Sequence, residues 1–116
     1  MKWVWVNQIW YENEAPINTN NRAFLYADGF FETCKIENSK WLLEPYHLKR
    51  ILKTFKALQF NPISNDFSSF IYQKFNQITP KYPDKKFRLK IIFFRNSKGY
   101  YTPETNHWDL VLELEE

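Results

Sequence analysis

Residues 30–58, FFETCKIENSKWLLEPYHLKRILKTFKAL, decide the fold. From Phe30 to Ile36 the chain is rich in residues that suit a pleated, half-buried surface, and it reads as a strand. Asn38-Ser39 suits a hairpin tip, and Lys40 to Leu43 reads as the returning strand. Glu44-Pro45 then breaks the sheet pattern and opens a helix, where the missing proline N–H would have had no partner anyway. Behind it Leu48, Ile51, Leu52, Phe55 and Leu58 recur at helical spacing, forming one apolar stripe. A hairpin running straight into an amphipathic helix predicts a sheet with a helix laid on one face.

The flanking sequence extends that plan. Upstream, Lys2 to Asn7 reads as a strand, Asn7-Gln8 as a turn and Ile9-Trp10-Tyr11 as a short return strand. Residues 12–22 are polar, contain Pro16 and read as a surface loop. Ala23 to Gly29 mixes apolar and turn residues and matches neither period. Downstream, Asn61-Pro62 ends the first helix. Ser64 or Asn65 is the expected cap of a second, with Phe67, Phe70, Ile71, Phe75 and Ile78 as its buried side, closed by Thr79-Pro80 and Pro83. Phe87 to Phe94 alternates like a strand, Arg95 to Pro103 reads as a loop, and Trp108 to Leu114 is a strand again. Strands, two helices, then strands predict an α+β two-layer domain: a mostly antiparallel sheet with both helices on one face. The last strand runs to the final residues, where domains usually fray, which leads to the expectation that more polypeptide follows.

Composition narrows the function. The 116 residues suit one domain spanning 1–116, with 44% hydrophobic and 25% charged residues. Aromatic residues reach 20%, so rings must build the core or face a partner. Only two glycines are present, against a glycine-rich phosphate loop, and the single Cys34 removes a disulfide scaffold or a cysteine zinc module. Two distant histidines, His47 and His107, make no metal site. Sixteen Lys and Arg face 13 acids, with 8 bases and 6 acids in residues 1–58 and 8 and 7 in residues 59–116. That balance leads to the expectation of no nucleic-acid partner. Apolar runs too short for a membrane span and the absence of a signal peptide lead to a soluble, cytoplasmic expectation.

The stretch Asn21 to Thr33, NRAFLYADGFFET, followed by strand, hairpin, strand and then His47-Leu48-Lys49-Arg50-Ile51, resembles the amino-terminal small domain of class IV aminotransferases. These are the fold-type-IV pyridoxal-phosphate enzymes, which include branched-chain and D-amino-acid aminotransferases and 4-amino-4-deoxychorismate lyase. Their pattern is an aromatic-Gly-Asp-Gly-x-Phe-Glu run and, further on, His-x-x-Arg-Leu. Here Ala27 stands where Gly is usual and Ile51 where Leu is usual. The run Leu89 to Tyr100 is most similar to the aminodeoxychorismate lyase branch, where a Lys-bearing strand leads into an Arg-Gly-rich loop ending in Gly-Tyr. In this chain Asn96 stands in place of the loop Gly, and Lys98 is near the position of a second Arg.

The resemblance implies the residue roles. Arg50 would contact the phosphate of pyridoxal 5'-phosphate, and a planar, permanently charged fork suits that task. Tyr26 and Phe31 would line the substrate side. Lys90 and Arg95 would hold a substrate carboxylate, with Arg88 a weaker candidate; Lys90 occupies a strand, where a cation among apolar neighbours needs an anion or a route to water. His47 reads as a hydrogen-bonded helix-start residue, Asp28-Gly29 as turn formers, and Glu32 as fixing its strand or facing the pocket. Arg50 is expected free of any buried acid partner, with Glu44 or a backbone carbonyl as the alternative. The covalent cofactor lysine of the family lies in a second, carboxy-terminal domain absent from this chain. No catalytic residue is therefore assigned here, and the cofactor is expected in the complete enzyme rather than on this chain alone. The resemblance further implies an amino-acid-like substrate and a homodimer, with an apolar face around Tyr26, Phe30 and Phe31. The alternative is a non-catalytic interaction or binding module on the same fold.

Overall fold

The computed structural model describes residues 1–96 and 105–116. Of the loop expected from Arg95 to Pro103, residues 97–103 lie outside them, and Arg95 instead closes the strand before it. In chain order the elements are β1 (Lys2–Val6), β2 (Ile9–Glu12), α1 (Arg22–Tyr26), β3 (Gly29–Glu37), β4 (Lys40–Trp41), α2 (Glu44–Leu58), α3 (Phe67–Phe75), a 3-10 turn (Thr79–Lys81), β5 (Phe87–Arg95) and β6 (Trp108–Glu115). Among the described residues the strands form one six-stranded sheet in the order β2-β1-β6-β5-β3-β4. Every neighbouring pair is antiparallel.

Strand alternation splits the side chains between two faces. Trp3, Trp5, Cys34, Ile36, Leu89, Ile91, Phe93, Leu110, Leu112 and Leu114 point one way and meet Ile51, Phe55, Phe67, Ile71 and Phe75 of the helices in one core. Burying each large apolar side chain contributes about 1.5–3 kcal/mol, so this face holds the fold. The opposite face carries a smaller cluster of Val4, Val6 and Val111, joined by Tyr11, Ala15, Ile92 and Phe94. This is the two-layer α+β architecture, with the helices on one face.

Several local expectations need correction. β4 holds two residues rather than four, because Leu43 takes a left-handed conformation, φ 56°, and turns the chain into α2. Leu52 belongs to the helical period but is exposed, and Ile51 and Phe55 carry the buried face. Ser64 does not cap α3: its hydroxyl donates to Asp66, which occupies the N-cap position. α3 stops at Phe75, and Ile78 is buried from the turn that follows. Residues 23–29, which match neither period, hold most of α1, which begins at Arg22 in the expected loop. Asn21 Oδ1 accepts from the Ala23 N–H at 2.8 Å to start it, and Ala27 ends it at φ 52°. That geometry favours glycine, and an L-residue there costs about 1 kcal/mol. At Gly29 a Cβ would lie 2.2 Å from the Phe93 carbonyl oxygen, so the close pairing of β3 with β5 requires glycine. No helix among the described residues is long and apolar enough to cross a membrane.

Candidate cofactor-contact site

Glu32 lies on β3, and alternation points its carboxylate to the helix face, where it is 6% exposed. A buried carboxylate needs partners, and α2 supplies two. His47 and Arg50 are three residues apart and share a side of its first turns. His47 Nδ1 is 2.7 Å from Glu32 Oε2, and Arg50 Nε is 3.5 Å from the same oxygen. The His47 ring stacks on Trp41 at 6.5 Å and meets Tyr46 edge-on at 5.5 Å. Arg50 Nη1 donates to the Tyr46 hydroxyl at 3.3 Å, and its guanidinium lies 5.7 Å from the centre of that ring. The bond to Tyr46 and the Glu32 charge hold Arg50 above its ordinary pKa, so it is a permanent cation. Its side chain is 59% exposed.

Arg50 therefore has a buried acid partner, contrary to the expectation, and that partner is neither Glu44 nor a carbonyl. The packing of β3 against α2 makes this contact. A phosphate monoester fits the donor chemistry: an exposed planar cation beside a phenolic hydroxyl, with Nη2 lacking a protein partner among the described residues.

The other candidates lie elsewhere. Lys90 and Phe31 share the opposite face of the sheet, with Lys90 Nζ 5.0 Å from the Phe31 ring centre. Glu113 bridges Lys90 and Lys2 at 3.7 Å each, a link invisible until the β1–β6–β5 register is known. Arg88 pairs with Glu115 at 3.2 Å on the surface. Tyr26 ends α1 with the Arg22 guanidinium 4.9 Å from its ring centre. Phe31 is exposed, but Phe30 faces the core, stacked on Phe93 at 4.8 Å and edge-on to Phe55. Phe30 therefore drops out of the expected apolar patch, to which the structure adds exposed Phe24 and Leu25.

Arg95 is committed to the fold. Its Nε donates to the Asp28 carboxylate at 3.1–3.2 Å, Nη1 to Asn106 Oδ1 at 2.7 Å and Nη2 to the Leu58 carbonyl at 2.6 Å. Arg22 donates to the same Asp28 at 2.7 Å. Asp28, read as a turn former, thus joins α1, the start of β3 and the end of β5. Asn106 carried no signal in the sequence. The loop after β2 roofs a cleft of about 570 Å³ over the face opposite the helices, floored by Val4, Ile92, Phe94 and Val111 with Lys2 and Glu113 at its edge.

No family model matches the chain, and no curated protein does. Solved structures do. A hypothetical aminotransferase from Mycobacterium tuberculosis in its PLP-bound form superimposes with TM-score 0.75 at 15% identity, over 99% of this chain and 40% of that one. The Escherichia coli branched-chain amino acid aminotransferase gives TM-score 0.74 at 15% identity, over 99% and 40%. The 4-amino-4-deoxychorismate lyase from Pseudomonas aeruginosa gives 0.64 at 20% identity, over 99% and 38%. The chain thus spans about 40% of the length of the structures it matches. From end to end, it has the fold of the amino-terminal domain of fold-type-IV aminotransferases.

Proposed function

We propose that this chain is the amino-terminal part of a pyridoxal-phosphate-dependent enzyme of the aminotransferase or aminodeoxychorismate lyase type, with Arg50 on the cofactor phosphate. The observation that carries the reading is the match of 99% of the chain to an aminotransferase solved with PLP. The exposed, oriented Arg50 fork supports it. When bound, the cofactor supplies an electron sink for the carbon bearing the substrate amine. The lysine that holds it would come from polypeptide outside this domain.

The chain's own residues would bind and orient. Arg50 would donate to phosphate oxygens. Lys90 would meet the substrate carboxylate, exchanging part of its pairing with Glu113, and Phe31 and Tyr26 would line the substrate side. Arg95 would act there indirectly, by fixing the Asp28-Gly29 turn from which β3 starts. A second reading, a non-catalytic binding module, draws on the apolar cleft over the sheet and on exposed Phe24 and Phe31.

The test is to express in full the coding sequence that carries this chain and titrate the product with pyridoxal phosphate. The expected result is one lysine-bound cofactor per chain on a lysine outside residues 1–116. Arg50→Ala should weaken cofactor binding by about tenfold, the scale of one charge-assisted hydrogen bond. Arg50→Lys should recover part of it, keeping the charge and losing the fork. Unchanged cofactor affinity in Arg50→Ala would end the assignment of Arg50, and a full product without stoichiometric cofactor would favour the binding module.

A further inference from the structure

We propose that Glu32 is a positioning residue: a buried carboxylate, itself fixed by His47, that aims the exposed guanidinium of Arg50 at an oxyanion. The proposal rests on the phosphate reading of Arg50 given above. An exposed arginine ordinarily samples many rotamers, so an anion that binds it must first order it. Arg50 has an anchor that most surface arginines lack. Glu32 is 6% exposed, stands on the inner face of a central strand pair, and is held at 2.7 Å by a histidine that is itself stacked on Trp41. Arg88 provides the contrast within the same molecule. Its side chain is 62% exposed, close to the 59% of Arg50, but its partner Glu115 is 45% exposed and free to move with it. The anchor takes the inner edge of Arg50: Nε lies 3.5 Å from Glu32 in an ion pair, Nη1 donates to the Tyr46 hydroxyl, and among the described residues Nη2 is left for a ligand.

A carboxylate beside a phosphate site has two opposed effects. Its charge repels the anion, and its grip pre-orders the cation. The two predict opposite results when Glu32 is replaced by Gln, which keeps the shape and removes the charge. The experiment uses the 116-residue chain labelled with ¹⁵N-arginine, with the Arg50 Nε–Hε signal assigned by its loss in Arg50→Lys. Solvent exchange of that proton reports the anchor, and titration with inorganic phosphate reports anion binding. In the unaltered chain Arg50 Hε should exchange about three- to fivefold more slowly than Arg88 Hε, the range expected of an exposed ion pair with a fixed partner.

In Glu32→Gln that difference should vanish, and phosphate should bind about threefold more weakly although a negative charge has been removed. Tighter phosphate binding in Glu32→Gln, with Arg50 exchange unchanged, would overturn the proposal by reducing Glu32 to a neutralising charge. If the variant fails to fold, the unaltered chain still decides: an Arg50 Hε no more protected than that of Arg88 sinks the idea. Should phosphate leave the Arg50 signal unmoved while the exchange pattern holds, the phosphate reading fails and Glu32 remains the anchor of Arg50.

Discussion

Cys34 lies on the inner face of β3, 3% exposed, with its Sγ 3.5 Å from the Leu89 carbonyl oxygen. Burial first, and the Glu32 charge second, push its thiol from 9.0 up to about 12. The folded state therefore favours the neutral thiol, while the unfolded chain ionises near its ordinary value. That stabilisation is fully present below about pH 9 and is lost as pH rises toward 12, at about 1.4 kcal/mol per pH unit. Urea midpoints of the natural chain and Cys34→Ala, compared from about pH 8 to about pH 10.5, should converge as pH rises. A constant gap would show that the thiol ionises equally in both states. At this scale the sequence was partly legible. The spacing of His47 and Arg50 could be read directly, but their shared partner Glu32 could not, because the contact depends on how a helix settles on a strand. Arg95 reads in the sequence as the first residue of a loop, but it closes β5 and is buried, so it needs an anion. The anion proved to be Asp28, in the turn that opens β3.

The helices show where periodicity is enough and where it fails. α2 keeps its predicted span, yet one of its five periodic positions, Leu52, faces solvent, because a stripe wide enough for two neighbours meets only one sheet face. α3 ends at Phe75 where its apolar pattern ran on to Ile78, because the chain tightens into a 3-10 turn and buries Ile78 from there. Phe75 is fully buried and Leu52 is 49% exposed. Phe75→Ala should therefore cost about 3–5 kcal/mol and Leu52→Ala about 0.5 kcal/mol or less, measured by urea unfolding. Similar losses for both would mean that Leu52 is covered in solution, as it would be if another surface packed on α2. β4 was overread for a related reason: Leu42 and Leu43 suit a strand by composition, but the turn into α2 takes them first.

At the scale of the whole molecule, the order strands, helices, strands was enough to read the layers but not the strand order. Nothing local announces that β6 enters between β1 and β5, since that position follows from which edges are left to pair. The same scale sets the expectation for cofactor chemistry. With pyridoxal phosphate added, borohydride reduction and peptide mapping of the 116-residue chain should find scattered, substoichiometric modification of exposed lysines. One lysine modified at one per chain would show that the domain builds a complete cofactor site by itself. The place of β6 also bears on how the protein is made. The hairpin β1–β2 is synthesised before the ribbon β5-β3-β4, and neither touches the other in the sheet except through β6. A two-stranded hairpin is marginal alone in water, and although Trp3 and Trp5 pack on Tyr82, Phe87 and Phe70, their strand is tied into the sheet only once Trp108–Glu115 is available. During synthesis of this domain β1 and its two tryptophans would therefore stay without a sheet neighbour other than β2 until β6 emerges.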